Sequence, residues 1–201
     1  MLMLPRPLID LANALRRLPG IGPRQALRLS FFLFRTKPVA QAIAVSLKNL
    51  YEGVKLCPSC FRLTGNDESL CKTCADRNRD AGLLAVVEED IDADQIEKTG
   101  SFRGRYFILG GRFFPRAGTP EQQALRINEL KHKIKEEKTR VQEIVLATNP
   151  TAEGDALALY LLRELKPYSL KITRLGRGLP LGGEIEHADE ETLKGAIEHR
   201  T

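Results

Sequence analysis

The chain has 201 residues, of which 42% are hydrophobic and 28% are charged, and this composition excludes a disordered or fibrous protein. No apolar run approaches the ~20 residues of a membrane span, and the first residues lack a signal-peptide core, so we expect a cytoplasmic protein with reduced cysteines and no membrane partner. Residues 1–56 carry nine Lys or Arg against Asp10 and Glu52, a net of +7 in a chain whose total is +5. This charge predicts a phosphate-bearing partner for the N-terminal quarter; the alternative is a solubilising surface.

A helical domain is predicted for residues 1–56, because apolar residues recur there at helical spacing between prolines. Two of its helices flank the turn Leu-Pro-Gly-Ile-Gly-Pro-Arg at 18–24. Glycines let backbone N–H groups approach a phosphate closely, and the following helix directs the positive end of its dipole toward it. The predicted contacts with a phosphate backbone are Gly20, Gly22, Arg24 and Arg28. The alternative is an ordinary turn, and the aromatic run at 31–34 is interpreted as core or a subunit contact.

All four cysteines fall within residues 57–74, a polar segment too short to form a core of its own. Two C-x-x-C pairs at this spacing can present four thiolates to one tetrahedral zinc ion. The predicted ligands are Cys57, Cys60, Cys71 and Cys74. Since all four positions are filled, no site is left for a catalytic water, and one structural zinc per chain would contribute folding free energy. Two disulfides are the alternative, which a reducing compartment disfavours.

An α/β pattern follows over residues 81–177, where short apolar segments alternate with longer amphipathic ones. This alternation is typical of βαβ units and a mainly parallel sheet. One helix is predicted from Pro120, with Thr119 as its N-cap, and another after Gly154. Strands are predicted at 83–87, 106–109, 143–147 and 171–175. The last segment, 178–201, is interpreted as a short terminal lobe or a partner-docking arm.

Acidic and polar residues directly follow two of these strands. Because ligand sites of open α/β sheets form at the carboxyl ends of strands, both segments are expected to line one crevice. The residues concerned are Glu88, Asn149, Thr151, Glu153 and Asp155. Carboxylates there suit Mg²⁺ and phosphoryl transfer, whereas the alternative is a set of loop acids and helix N-terminal charges. The spacing alone favours neither.

The order of these motifs resembles that of the RecR family of bacterial recombination mediators, over nearly the whole chain. Within that arrangement, the segments Leu109-Gly110-Gly111 and Ala147-Thr148-Asn149-Pro150-Thr151 make the match specific. The resemblance implies a modular α/β protein with a helix-hairpin-helix domain, a C4-type zinc finger, a Toprim domain and a C-terminal segment. It also implies a DNA-binding protein of recombinational repair that forms a ring or clamp, a dimer or tetramer. Such a protein works with RecO and RecF to load RecA at gaps coated by single-strand-binding protein.

The Toprim resemblance also implies that the chain is not an enzyme. Catalytic members such as type IA topoisomerases show Thr-Asp-Pro-Asp-x-Glu-Gly-Glu, where this chain has Thr-Asn-Pro-Thr-Ala-Glu-Gly-Asp at 148–155. Asn149 and Thr151 thus replace two metal-holding aspartates, which leaves room for weak Mg²⁺ binding at most. The acids Glu88, Glu153 and Asp155 are then expected to form a partner-docking surface.

Two other classes of protein stay open at this point. One is a Mg²⁺-dependent nuclease, primase or strand-passing enzyme on the same core, and the other is a scaffold whose zinc finger and basic helices serve only assembly. The chain departs from the family pattern at Phe113 and Phe114, where smaller residues are commoner. These aromatics, flanked by Arg112 and Arg116, are interpreted as a stacking platform for single-stranded bases or as a subunit or partner contact.

Overall fold

The computed structural model describes residues 4–111, 125–137, 140–168, 170–176, 178–179 and 182–198. The chain divides into two compact units, residues 1–54 and residues 55–201, called here the N-terminal and C-terminal units. The first is helical and the second contains a parallel sheet, so the predicted mixed α/β fold is confirmed. None of the described helices is long and apolar enough to cross a membrane.

The N-terminal unit consists of three helices, which are α1 (Arg6–Leu15), α2 (Pro23–Arg35) and α3 (Lys37–Gly53). Small side chains let α1 and α2 approach closely: Ala12 is buried on α1, and Ala26 and Ser30 are buried on α2. The Ser30 hydroxyl donates a hydrogen bond of 2.9 Å to the Ala26 carbonyl, which satisfies it inside this contact. Within the described part of the chain, α3 buries none of its residues.

The C-terminal unit begins with a small two-stranded sheet and a one-turn helix, which together hold the four cysteines. Its main sheet has four strands in the order β4-β3-β5-β6, and all three pairings are parallel. The small elements are β1 (Val54–Leu56), β2 (Leu63–Gly65) and α4 (Lys72–Ala75). The strands of the main sheet are β3 (Asp80–Val87), β4 (Gly104–Ile108), β5 (Glu143–Ala147) and β6 (Lys171–Arg174). Its helices are α5 (Asp90–Lys98), α6 (Ile127–Glu136), α7 (Ala152–Leu165) and α8 (Glu190–Glu198).

Helices cover both faces of the main sheet, as expected for buried parallel strands. Alternate residues of β3 separate the two faces: Leu84 and Val86 join the core that includes α6 and α7, whereas Ala85 and Val87 join the core beneath α5. The larger core contains Phe107, Leu130, Ile134, Ile144, Leu146, Leu157, Leu161 and Leu165. This packing fixes the carboxyl ends of β3 and β5 next to each other.

The structure corrects several of the predicted boundaries. Strand β3 begins three residues and β4 two residues earlier than predicted, and β4 and β6 each end one residue earlier. The helical prediction is wrong at residues 54–56, which pair with β2 instead, because apolar spacing cannot distinguish a helix end from a short strand. Helix α7 begins at Ala152, so Gly154 lies buried in its first turn rather than before it. The terminal segment contains α8, which the sequence pattern did not specify. The helix predicted from Pro120 begins outside the described residues.

Candidate functional site

The four cysteines of the C-terminal unit form one cluster. Their sulfur atoms all lie within 4.8 Å of one another, and all four thiols are free rather than paired in disulfides. A tight turn after β1 brings the first pair of cysteines together. The Phe61 N–H donates a hydrogen bond to the Cys57 carbonyl at 2.9 Å, and the Cys57 N–H donates to the Arg62 carbonyl at 2.7 Å. Cys71 is the N-cap residue of α4 and places the second pair on that helix. The cluster comprises Cys57, Cys60, Cys71 and Cys74.

The geometry of this cluster fits a zinc ion. Tetrahedral Zn–S bonds of about 2.3 Å separate ligand sulfurs by about 3.8 Å, and the Cys60 and Cys71 sulfurs lie 3.4 Å apart. The hydrogen bond between the two sulfurs raises the pKa of the Cys60 thiol and lowers that of Cys71. Because packed thiolates repel one another, all four could ionise together only beside a cation. The alternative of two disulfides does not fit this arrangement, because all four thiols are free.

This cysteine cluster is packed on the edge strand of the main sheet. The Cys60 carbonyl accepts a hydrogen bond of 2.9 Å from Ile108 on β4, and the Leu63 N–H donates to the Asp90 carboxylate on α5 at 2.8 Å. Arg62 forms an ion pair with Asp94, also on α5. The cluster therefore caps β4, which would otherwise present an unpaired edge.

Glu88 directly follows β3 and is only 4% exposed. Its Oε1 atom accepts hydrogen bonds from the Asn149 backbone N–H at 2.8 Å and from the Asn149 Nδ2 atom at 3.1 Å. The predicted meeting of Glu88 and Asn149 at the carboxyl edge of the sheet is thus present in the structure. An aspartate at position 149 would add a second negative charge there, whereas the amide donates hydrogen bonds to the carboxylate instead.

The other residues predicted for this crevice have separate roles. The Thr151 hydroxyl caps α7 by accepting a hydrogen bond of 3.2 Å from the Gly154 N–H, and Asp155 forms an ion pair with Arg174 at the end of β6. The third acid, Glu153, is exposed. Among the described residues, the three acids of this crevice are not a group whose carboxylates all lie within 4.8 Å of one another, so they do not form a compact metal-binding group. The acids in question are Glu88, Glu153 and Asp155.

Arg174 is a site residue that the sequence analysis missed. It lies 19 residues from its partner Asp155, on a different element, and the two meet only because β5 and β6 are adjacent. The available signal was a basic residue at the carboxyl end of the last strand of a parallel sheet. The guanidinium at this position neutralises the Asp155 carboxylate.

The helical hairpin of the N-terminal unit has the features of a phosphate-binding turn. Gly20 has a φ of +77°, and Gly22 forms the N-cap of α2 without a side-chain cap. The first-turn N–H groups of α2 are therefore available to an external anion. Arg24 and Arg28 are both exposed on this helix, four residues apart. The structure thus places all four predicted residues on one turn and the helix that follows it.

Comparisons with known proteins match nearly the whole chain. A family model described as RecR, helix-hairpin-helix matches residues 8–50, a Toprim domain model matches 82–176, and a model described as RecR, C-terminal matches 178–201. Recombination protein RecR of Roseiflexus castenholzii is 43% identical over 199 residues, which cover 98% of this chain and 95% of that protein. The Chloroflexus aggregans protein of the same name is 44% identical over 195 residues, covering 96% and 93%. The Myxococcus xanthus protein of that name is 43% identical, covering 98% of both chains.

Proposed function

The chain belongs to the RecR family of recombination proteins, and we propose that it is a DNA-binding mediator of recombinational repair that has no catalytic activity of its own. The observation that carries this proposal is the uncapped turn before α2, with Arg24 and Arg28 exposed beside it. These groups bind the sugar-phosphate backbone and do not read base edges, so binding is independent of sequence. We also propose that it works in the cytoplasm with RecO and RecF to load RecA on gapped DNA.

The proposed lack of catalysis follows from the partners of the acidic residues. Mg²⁺ requires accessible carboxylates together with substrate phosphates, arranged in near-octahedral geometry. Here Asn149 donates two hydrogen bonds to one oxygen of Glu88, and Arg174 neutralises Asp155. Glu153 is exposed, and RecO and RecF are the partners that we propose for the surface around it. Any Mg²⁺ bound here is weakly held.

A homo-oligomer is the third part of the proposal. Helix α3 has 17 residues and leaves its apolar stripe uncovered, with Leu47 51% and Leu50 52% exposed. A stripe of this size on a soluble protein marks an interaction surface. The spacing of Ile43, Leu47 and Leu50 is that of one helix face, which suits a second copy of the same helix. This pairing gives a dimer with two basic hairpins, and a second interface between copies would close a ring or clamp around DNA.

The proposed modules are residues 1–56, 57–74, 81–177 and 178–201: the helical hairpin domain, the zinc finger, the Toprim domain and the C-terminal segment. Support for zinc comes from the cysteine cluster, whose thiols are free and within reach of one ion. The finger adds no open coordination position, so the metal stabilises the fold and does not activate water.

One experiment tests binding without turnover. The chain is incubated with supercoiled, nicked and single-stranded DNA in Mg²⁺ or Mn²⁺, and both complexes and products are measured. We expect retarded complexes and unchanged DNA. The double variant Asn149→Asp with Thr151→Asp is assayed for comparison, because it places two carboxylates at these positions. Glu88→Gln is the control, because it removes the charge of the buried acid. Products made by the unaltered chain and lost with Glu88→Gln would establish the enzyme alternative, whereas absent or salt-insensitive DNA binding would favour the scaffold.

A further inference from the structure

Phe61, which directly follows the zinc ligand Cys60, has an unusual backbone conformation. Its φ is +62°, and it is the one non-glycine residue with positive φ in the part of the chain that the structure describes. A bulky aromatic residue rarely adopts this conformation, so the surrounding turn must impose it. The hydrogen bond from the Phe61 N–H to the Cys57 carbonyl closes that turn. The strained residue therefore depends on two cysteines of the cluster being held together.

The side chain of Phe61 links the finger to residues beyond β4. Its ring makes an edge-on contact with Phe107, with 5.3 Å between centroids, and the Arg126 guanidinium carbon lies 5.2 Å from the ring centroid. That second distance is within the range of a cation–π interaction. Arg126 also packs against Gly110, where an added Cβ would lie 2.0 Å from its Nη1 atom. Only glycine at position 110 leaves room for this guanidinium.

Arg126 and Gly110 in turn reach the carboxyl edge of the sheet. The Arg126 N–H donates to the Leu109 carbonyl at 3.0 Å, and the Gly110 N–H donates to the Glu88 carbonyl at 2.9 Å. Glu88 is the buried acid at the centre of the Toprim crevice. A continuous set of contacts thus runs from the cysteine cluster through Phe61, Arg126 and Gly110 to Glu88.

We infer that zinc binding controls the order of this carboxyl edge through the contact between Phe61 and Arg126. The bound metal holds Phe61 at positive φ; when the metal is lost, Phe61 relaxes to negative φ and its ring leaves Arg126. Gly110, whose N–H donates to the Glu88 carbonyl, then loses the guanidinium that packs against it, while β5 and α7 stay folded. The proposed partner surface is thereby coupled to metal availability. This inference rests on the proposed zinc site.

Hydrogen exchange of the full chain tests the coupling, with zinc bound and after chelation. We expect exchange at the Gly110 and Arg126 amides to become about tenfold faster without zinc, the effect of losing one cation–π contact, while exchange within β5 changes little. Metal analysis accompanies each sample. Freshly purified chain without zinc would overturn the zinc site itself, and unchanged exchange at both amides after complete zinc removal would overturn only the coupling.

Variants separate the contact from the metal. Phe61→Gly allows positive φ without strain and removes the ring, so we expect normal zinc content with fast exchange at Gly110 and Arg126 even when zinc is bound. Arg126→Gln leaves the finger unaltered and should also give normal zinc content with fast exchange. Phe61→Tyr keeps an aromatic ring and should retain slow exchange. Phe102→Leu is the matched control, because Phe102 precedes β4 and its described ring contact is with Tyr106 on that strand, at 5.1 Å between ring centroids. Slow exchange at the amides of residues 110 and 126 in zinc-loaded Phe61→Gly or Arg126→Gln would refute the inference. Because these variants are measured with zinc bound, this test holds even if chelation unfolds the whole chain.

Discussion

Replacement of Arg24 and Arg28 by alanine changes the salt dependence of DNA binding in a way that can be calculated. If each arginine neutralises one phosphate, the slope of log K against log salt concentration becomes shallower by about 1.8 for duplex and about 1.4 for single strands. The loss of duplex affinity at 50 mM salt is then about twelvefold larger than the loss at 200 mM. Both side chains are exposed, so the free energy of unfolding should change by less than about 0.5 kcal/mol. Fluorescence anisotropy across this salt range, with circular dichroism for the fold, provides the measurement.

Arg35→Ala with Lys37→Ala is the matched control for this prediction. It removes the same charge from the same unit, but Arg35 lies about 16 Å from Arg24 along the axis of α2, and Lys37 lies beyond it at the start of α3. We expect this control to retain most of the original slope. If both double variants flatten the slope equally, the overall charge of the unit binds DNA and the hairpin has no special role. An unchanged slope in the Arg24 and Arg28 variant would refute the reasoning altogether.

Three further predictions concern the metal, the assembly and the ion pairs. Freshly purified, reduced chain should contain one zinc ion, and purified chain without zinc would contradict this. Cys57→Ala should not bind zinc and should melt at a much lower temperature, because zinc binding contributes on the order of 10 kcal/mol to folding. Light scattering should show a mass well above that of the 22.5 kDa chain. Leu47→Glu should reduce this mass, whereas Val45→Glu, on another face of α3, should not. A monomer of the unaltered chain at micromolar concentration would exclude the assembly. Burial alone would raise the pKa of Glu97, but hydrogen bonds from Arg79 and Tyr106 outweigh burial and lower the pKa of this carboxyl below its ordinary value of 4.5. The stability that ionised Glu97 contributes is therefore present above pH 4.5 and is lost as the pH falls below that value. Glu97→Gln should therefore lower the melting temperature at pH 7, and an equal deficit at pH 3 would contradict the assignment.

The sequence predicted the parts of the fold that depend on local pattern. The spacing of Cys57 to Cys74 indicated one metal cluster, and the apolar runs at 83–87 and 143–147 coincide with strands that are buried in the sheet. These features follow from residues that are close in the chain, so their periodicity or spacing is sufficient. The presence of Glu88 beside Asn149 also followed from the rule that parallel strands share one carboxyl edge.

Other features depend on tertiary contacts that no local pattern specifies. The ion pair of Arg174 with Asp155 requires β6 to lie beside β5, and the position of Phe61 between Phe107 and Arg126 requires the finger to pack on β4. The strand at 54–56 continues the apolar spacing of the preceding helix and becomes a strand only because β2 pairs with it. Phe113 and Phe114 lie outside the described residues, so their interpretation as a stacking platform or a subunit or partner contact stays a prediction.

Recombinase assembly on gapped DNA tests the central claim most directly. RecA, RecO and RecF are mixed with gapped DNA that is coated by single-strand-binding protein, and filament formation is followed through the DNA-dependent ATP hydrolysis of RecA. Adding the chain should shorten the delay before hydrolysis while leaving the DNA intact, and the variant with alanine at positions 24 and 28 should do so weakly. An unchanged delay with the unaltered chain, under conditions where it binds the DNA, would contradict the account.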